Sequence, residues 1–352
     1  MSELDFVPVR CPNRRCPAFR RPPQRFYRRN GSYRPRCRRE AVPRFRCKVC
    51  RRGFSRQTFR LDYRDRRPHD NALLFQLLTS GVGLRQAGRV LGLDVHAVQK
   101  KFRKIARHLR MLNRNLLTGL PAGRTLMIDE LESFEQRSIE PLTVPVLIDR
   151  NSKFVIATDV APIRRVAKGG SWRRRWLERH EAKVGRRRDR GNDCVRQVFG
   201  RMERLLGGRP ATLISDEKAT YARQCRHRFG VQVEHRTVPS TLPRNVFNPL
   251  FAINLTDAMM RDNNGRLRRR SWLVSKAGRF LKLQLELFAA YRNWHRRRHN
   301  DDPPDRTPGV VLGLAERSLA IAELLAWRQD WRLRSVHPAS ASGGESVRRG
   351  AA

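Results

Sequence analysis

The chain has 352 residues, of which 76 are Lys or Arg and 32 are Asp or Glu, so its formal net charge is +44. A charge this large indicates a polyanionic partner, and nucleic acid is the most direct choice. Because 39% of the residues are hydrophobic, the chain can bury real cores, which excludes a disordered basic tail as the whole protein. Apolar runs stay well below the roughly 18 residues of a membrane span, and the first residues lack a signal pattern. We therefore expect a cytoplasmic, nucleoid-associated protein without a membrane partner.

Five of the seven cysteines lie in the first 50 residues. In a cytoplasmic protein, such a cluster is more typical of a metal site than of a disulfide framework. Cys11 with Cys16 and Cys47 with Cys50 form two knuckles about 30 residues apart, which predicts a zinc ribbon over residues 1–60 with a structural zinc. Cys37 fits neither knuckle, so it is a spare thiol, or a ligand only if Cys16 is not one. Reduced thiols without metal are the alternative.

The predicted ribbon is also strongly basic, with 19 basic and 3 acidic side chains in residues 1–60. Aromatic residues stand between these charges, and a mixture of Arg and aromatic side chains is typical of a module that contacts DNA. The aromatic residues of this pattern are Phe26, Tyr27, Tyr33, Phe45, Phe54 and Phe59.

Residues 61–120 are predicted to be helical. A first helix is capped by Asp70 and ends at Gly81, a second covers 84–91, and a third starts near Asp94 and continues towards 120. The small residues around the turn between the second and third helices are typical of a helix-turn-helix. We expect the polar face of the third helix to point into a major groove; a plain helical bundle with a solvated basic face is the alternative. The residues of that face are His96, Gln99, Lys100, Arg103 and Lys104.

From residue 124 the sequence predicts strands over 125–128, 142–148 and 154–158, followed by a basic insertion over 163–206 and a further strand over 211–215. The first strand should end at Asp129 and the last at Asp216. Sites of α/β layers form at the C-terminal ends of strands, so these carboxylates are expected to meet. Because paired carboxylates repel unless they share a cation, magnesium is the natural occupant. Two unrelated surface acids are the alternative.

The order of these features resembles that of insertion-sequence transposases of the InsA/InsB type. The matching segments are 44–55, 127–130, 214–217 and an Arg-rich run over 266–276, so the resemblance covers about residues 11–300. It implies an α/β fold with an RNase H-like mixed sheet flanked by helices over 124–300, after a zinc ribbon and an all-α helix-turn-helix module over 61–120. Residues 301–352 would be a C-terminal tail. It also implies a DDE-type enzyme that cuts and joins double-stranded DNA at insertion-sequence ends, as a homodimer or higher oligomer.

The third acid of the family, a glutamate, falls on Asn254 when the Arg-rich run is aligned without gaps. Asp257 lies one helical turn further along the same face and is our predicted replacement, whereas Asp262 lies two turns beyond Asn254. The resemblance then implies two-metal catalysis with Mg²⁺ or Mn²⁺ held by Asp129, Asp216 and Asp257. A site of reduced activity with Asn254, and a decayed copy that only binds DNA, stay open.

The Arg-rich run is expected to clamp the phosphate backbone of the DNA end. A regulator that binds DNA without catalysis explains the charge and the first 120 residues equally well, but not the two strand-end aspartates. A metal-dependent nuclease without strand transfer shares the acidic site and differs in its product. The predicted clamp residues are Arg266, Arg268, Arg269 and Arg270.

Overall fold

The computed structural model describes residues 6–34, 41–166, 168–243, 245–268 and 272–329. Cys37, Arg269 and Arg270 therefore lie outside the described residues. The N-terminal part is a three-stranded antiparallel sheet in the order β1-β2-β3, preceded by a single helical turn. Its elements are α1 (Pro17–Arg20), β1 (Tyr27–Tyr33), β2 (Val42–Cys47) and β3 (Gly53–Ser55).

Aromatic side chains fill the interior of this small sheet. The rings of Phe26 and Phe54 stack with their centroids 6.3 Å apart, and Phe45 and Phe59 pack against Phe54 from other directions. All four are buried together with cysteines of the N-terminal cluster. The interpretation of these four residues as DNA contacts is therefore wrong, because a domain this small needs its aromatic residues for its own core.

Three helices follow. Asp94 caps the third helix, since its Oδ1 accepts a hydrogen bond from the His96 N–H at 2.8 Å, and Gly92 ends the second helix at φ 58°. Asp70, however, is the first residue of its helix rather than the cap, and its buried carboxylate pairs with Arg67 at 2.8 Å. The helices are α2 (Asp70–Thr79), α3 (Leu84–Leu91) and α4 (Val95–Leu116).

The second sheet is mixed, with strand order β6-β5-β4-β8-β9 and a short β7 paired to β5. β4, β5 and β6 are antiparallel, whereas β8 runs parallel to both β4 and β9. The expectation that the first strand ends at Asp129 is wrong, because β4 pairs with β5 as far as Phe134. The strands are β4 (Arg124–Phe134), β5 (Pro141–Asp149), β6 (Val155–Thr158), β7 (Ala161–Pro162), β8 (Ala211–Ser215) and β9 (Val233–Thr237).

Helices cover both faces of this sheet. Alternate residues of β4 enter two different apolar clusters: Leu126 and Ile128 pack with helices on one face, and Met127 and Leu131 pack on the other. The chain is therefore a mixed α/β protein with a helix-flanked mixed sheet. The helices are α5 (Trp172–Val184), α6 (Gly191–Leu206), α7 (Ala219–Phe229), α8 (Phe251–Asn263) and α9 (Gly278–Trp294).

The segment after α9 is packed rather than tail-like as far as residue 329. It contains α10 (Pro308–Val311) and α11 (Ile321–Ala326). Leu324 is fully buried, and its carbonyl bonds to His108 Nε2 at 2.9 Å. The Gln329 N–H donates to the Phe59 carbonyl at 3.0 Å, which joins this segment to the N-terminal sheet. The predicted tail is therefore wrong for 301–329; residues 330–352 lie outside the described part of the chain.

The helices α2–α4 and the large sheet share one hydrophobic core. At its centre, Trp294 Nε1 of α9 donates to Asn113 Oδ1 of α4 at 2.9 Å, and Gln284 Nε2 donates to the Leu78 carbonyl of α2 at 2.9 Å. The helical segment is thus fused to the sheet, while the domain boundaries near 60, 120 and 300 stay predictions. In the part of the chain described here, no helix is both long and apolar enough to span a membrane.

Candidate functional site

The four N-terminal cysteines of the predicted knuckles converge. The ligand atoms of Cys11, Cys16, Cys47 and Cys50 all lie within 4.8 Å of one another. Cys11 Sγ and Cys50 Sγ are 3.5 Å apart, and Cys16 Sγ and Cys47 Sγ are 3.9 Å apart. Tetrahedral zinc with Zn–S bonds of about 2.3 Å requires sulfur atoms roughly 3.8 Å apart. The cluster can therefore hold one zinc ion, and four thiolates would leave no coordination position for water.

Two tight turns position these thiols. In the first, the Asn13 N–H donates to Cys11 Sγ at 3.4 Å. In the second, the Cys47 N–H donates to the Arg52 carbonyl at 3.0 Å, and Arg51 takes a positive φ of 60°. Burial raises the pKa of the Cys11 thiol. Burial by itself would also raise the pKa of Cys50, but hydrogen bonds from the Arg52 backbone and from Cys11 outweigh it and lower the pKa of Cys50 to about 7.

Asp129 and Asp216 lie on adjacent parallel strands. The last paired residues of β4 and β8 are Met127 and Ile214, so two further steps along each strand bring Asp129 opposite Asp216. Neighbouring strands lie about 4.8 Å apart, which places the two carboxylates at one level of the sheet. Asp129 is inside β4 and Asp216 directly follows β8, so one of the two predicted strand ends is wrong, and the meeting of the two carboxylates stays a prediction.

Asp257 is buried on the side of α8 that faces the sheet. Ile253 and Met260, four residues before and three after it, pack in the same cluster as Leu131 of β4. Leu131 is two residues beyond Asp129, so both side chains point to the same face of the strand. The helix thus presents Asp257 to the face of β4 that carries Asp129.

The other two candidates for the third acidic position lie differently on α8. Asn254 is half-buried, one turn before Asp257. Asp262 is exposed, and its backbone carbonyl accepts a hydrogen bond from Arg268 at 3.3 Å. Of these three residues, Asp257 alone is buried against the sheet, and this agrees with its selection as the replacement for the family's glutamate.

A buried phenol lies among these carboxylates. Tyr221 of α7 is fully buried, and burial is the main cause of its raised pKa. The negative charges of Glu130, Asp129, Asp216 and Asp257 raise the pKa of Tyr221 further. Four carboxylates therefore lie near one phenol, and nothing in the sequence pattern signalled Tyr221.

Glu130 occupies the opposite face of β4 from Asp129. Since β4 continues past Asp129, successive side chains alternate between faces, and Glu130 points away from Asp129. Its carboxylate bonds to the ammonium of Lys218, two residues after Asp216. Its Oε1 is buried and has no hydrogen-bond partner among the described residues. Glu130 thus follows Asp129 in the chain and is paired with the Lys218 ammonium.

The aspartates approach each other less closely than the cysteines do. Within the described ranges, the four cysteines are the only group of three or more potential ligands close enough for one ion. Mg²⁺ takes oxygen ligands, keeps several waters and binds proteins through one or two carboxylates. Carboxylates such as those of Asp129, Asp216 and Asp257 suit a hydrated divalent ion in their chemistry, but the three do not form a group close enough to hold one ion directly.

The predicted groove-facing side of α4 is only partly exposed. Lys100 is exposed. Arg103 donates to Gln99 Oε1 at 3.1 Å, and its guanidinium lies 6.0 Å from the centre of the Phe280 ring. Lys104 Nζ donates to the Tyr63 carbonyl at 2.6 Å, and burial lowers its pKa. Arg103 and Lys104 thus make contacts within the protein, and the role of this face in DNA binding stays a prediction.

Arg266 is also engaged within the protein rather than projecting from it. Its guanidinium lies 5.7 Å from the ring centre of Phe102 and 5.8 Å from that of Phe280, and burial lowers its pKa to about 10. Arg266 is thus half-buried and packed on two aromatic rings, and its role in a phosphate clamp stays a prediction. Arg268 is exposed. The other two clamp residues, Arg269 and Arg270, fall outside the described residues.

The sequence analysis missed a buried cation on α4. Lys101 Nζ donates to both carboxylate oxygens of Asp65 at 2.7 Å and to Asn71 Oδ1 at 3.0 Å. This hydrogen-bonded pair ties the segment before α2 to α4, and it lowers the pKa of Asp65 despite burial. A signal was present: Lys101 lies three residues after Val98 and four before Ile105, in the apolar stripe of the helix.

No family model matches this chain, and no curated protein matches it. Among solved structures, the chain is similar to one in the cryo-electron microscopy structure of the simian T-cell lymphotropic virus intasome in complex with PP2A regulatory subunit B56 gamma. The sequences are 14% identical, the match covers 63% of this chain and 66% of that chain, and the TM-score is 0.22. The match thus spans just under two thirds of that chain. At this TM-score the similarity carries no argument about fold or function.

Proposed function

We propose that this chain is a transposase of the InsA/InsB type, which cuts and joins DNA at insertion-sequence ends by metal-dependent phosphoryl transfer. The observation that carries the proposal is the placement of Asp129, Asp216 and Asp257. Asp129 and Asp216 each follow the last β4–β8 pair, Met127 and Ile214, by two residues, and Asp257 is buried on α8, which packs on the face of β4 that carries Asp129. In this proposal, the mixed sheet is the RNase H-like core that the family resemblance implies.

The DNA partner is supported by charge. A net charge of +44 requires polyanion binding for a compact fold, and phosphate contacts provide it. We assign duplex binding to α3 and α4 as a helix-turn-helix, with the exposed Lys100 and the half-buried Gln99 nearest the DNA, and to the arginines of the N-terminal zinc ribbon. Arg28 and Arg29 are exposed on β1, the edge strand of that ribbon.

The carboxylates would hold the divalent ions, and bound ions would supply charge stabilisation at the attacking and leaving oxygens of an in-line displacement. In this proposal, Asp129, Asp216 and Asp257 would together supply the carboxylate ligands of these ions. Lys218 neutralises Glu130 on the other face of β4, so Glu130 does not add a further negative charge to the ion site. Burial of Asp257 beside the sheet limits the access of water to its carboxylate.

Cleavage of labelled duplexes that carry the ends of the encoding element tests this function. With Mg²⁺ or Mn²⁺, the wild type should nick the end, and Asp129→Asn and Asp216→Asn should each reduce cleavage by several orders of magnitude because a ligand charge is lost. Binding of the same duplex without divalent ions should not change. Asp262→Asn removes an exposed carboxylate of α8 and should cleave normally. Normal cleavage by Asp129→Asn would refute the assignment.

A second candidate is a DNA-binding protein without catalytic activity, either a regulator or a decayed transposase. The observation that favours it is the wider spacing of the aspartates, which form no ion-sized group among the described residues. Under this alternative, neither the wild type nor Asn254→Glu cleaves with magnesium or manganese, while both bind the duplex. A nuclease without strand transfer would instead cleave and release ends that never join to a target.

A further inference from the structure

A cavity of about 1050 Å³ opens between α5 and the end of β4. Four basic side chains and one acidic side chain line it, together with an exposed tryptophan. The acid, Glu132, already pairs with Arg165. The cavity therefore offers cations and an aromatic ring to an incoming anion. The residues used below are Glu132, Arg165, Lys168, Trp172, Arg173 and Arg268.

The exposed ring of Trp172 has a geometry suited to stacking with a nucleotide base. Trp172 is 62% exposed, although it is among the largest apolar side chains of the protein. Its ring stacks on Trp176 with the centroids 5.9 Å apart and the planes 25° apart, so one face of Trp172 is supported from within the helix. Arg173 lies 5.9 Å from the centre of the same ring. A rigid aromatic face beside arginines is the arrangement with which proteins bind unpaired bases.

The helix that carries this tryptophan pair is held mainly by ion pairs. Leu177 is its only buried side chain. Glu181 of the helix accepts hydrogen bonds from Arg164 at 2.7 and 2.9 Å, and His180 lies 3.6 Å from Glu140 of the β4–β5 connection. The exposed Trp172 is thus not needed for the core of the protein, and a role in binding is a physical reason for its exposure.

The volume of the cavity and its position on β4 indicate which kind of ligand it can bind. A cavity of this volume matches pockets for drug-sized ligands, so it admits one or a few nucleotides and not a duplex. Glu132 follows Asp129 by three residues, which is about 10 Å along the strand.

We propose that this cavity binds unpaired nucleotides of DNA, with a base stacked on Trp172 and phosphates held by Lys168, Arg173 and Arg268. The proposal deepens the proposed function, on which its choice of DNA rests: strands that separate next to the cleavage point would place their unpaired bases here. Binding needs no divalent ion, so it can be measured separately from cleavage.

The test compares the full-length chain on two probes without divalent ions: a blunt duplex, and the same duplex with a four-nucleotide single-stranded overhang. Stacking of one base contributes on the order of tenfold in affinity, so the wild type should bind the overhang probe about tenfold more tightly. Trp172→Ala should bring the ratio of the two dissociation constants close to one, and Trp172→Phe should keep most of it. Trp272→Ala removes another exposed tryptophan, outside this cavity, and should leave the ratio unchanged.

A spectroscopic measurement reports the stacking itself. With 2-aminopurine in the overhang, binding to the wild type should quench its fluorescence, and binding to Trp172→Ala should not. An unchanged ratio in Trp172→Ala, or a wild-type ratio of one, would overturn the inference. If the chain prefers the overhang probe but never cuts DNA, this inference holds and the proposed function is wrong. If the chain cuts DNA but shows no preference for the overhang probe, the proposed function holds and this inference is wrong.

Discussion

The cysteine cluster and the aspartate group differ in how completely the fold assembles them. The four thiols come from two tight turns and lie within 4.8 Å of one another, whereas the aspartates come from β4, from the residue after β8, and from α8, and they form no such group among the described residues. Protonated thiols are neutral and can touch at little cost, but ionised carboxylates repel at short range unless a cation is present. Cysteine ligands can therefore lie almost at their final distances before the metal binds, whereas carboxylate ligands come together only when the cation is present.

The largest effect is expected at the cysteine cluster. Cys47→Ser should reduce the metal content from about one zinc per chain to near zero and should unfold the N-terminal sheet, since structural zinc contributes on the order of 10 kcal/mol. Metal analysis together with limited proteolysis of residues 6–60 measures both changes. Cys225→Ala, which alters a buried cysteine of α7 far from the cluster in sequence, is the control and should retain the zinc. Full zinc in Cys47→Ser would contradict the assigned ligands.

The next effect concerns the third acid. Asp257→Asn should lower divalent-ion-dependent cleavage by about three orders of magnitude or more, because an amide cannot replace the charge of a carboxylate ligand. Asn254→Ala should cleave as the wild type does. The opposite pattern, with an active Asp257→Asn and an inactive Asn254→Ala, would show that the ungapped alignment with the family is right. Thermal unfolding of each variant separates a lost ligand from a lost fold.

The smallest effect concerns the contact between the C-terminal segment and the rest of the chain. Burial lowers the pKa of His108 from 6.5 to about 4. Unfolded histidine binds a proton as the pH falls below about 6.5 but the folded side chain does not, so stability should fall between pH 6.5 and 4 by about 3 kcal/mol. Chemical denaturation at several pH values should show this fall reduced in His108→Gln and unchanged in His69→Gln, whose histidine is exposed. Equal pH dependence in the wild type and His108→Gln would contradict it.

Local chemistry explains which parts of the fold were predictable. The second helix and the Asp94 cap follow from a helical pattern bounded by glycine and aspartate, and β8 follows from a short apolar run. The end of β4 did not follow, since residues 129–134 contain four polar side chains and only two apolar ones, and they become strand through pairing with β5. The end of β4 is therefore determined by its pairing with β5 in the folded protein and not by local sequence preference.

The same distinction applies to the site. The strand carrying Asp129 and the strand before Asp216 were recognisable as buried strands, and parallel pairing brings them level. The packing of Arg266 over Phe102 and Phe280 was not readable, because an arginine in a basic run has the same sequence signature whether it is exposed or stacked. The packed segment up to residue 329 was missed for a similar reason: its two helices are short and depend on a core supplied by α4 and α9.

The shared core of α2–α4 and the sheet has a further consequence. Trp294 and Gln284 of α9 form hydrogen bonds directly to α4 and α2, respectively. Since α4 is one of the two helices assigned to DNA binding, these bonds fix its position relative to the sheet that carries Asp129. Under the proposed function, the dimensions of the folded chain would set the number of base pairs between the recognised sequence and the cut. A DNA end with one base pair inserted between the two would be held correctly and presented out of phase.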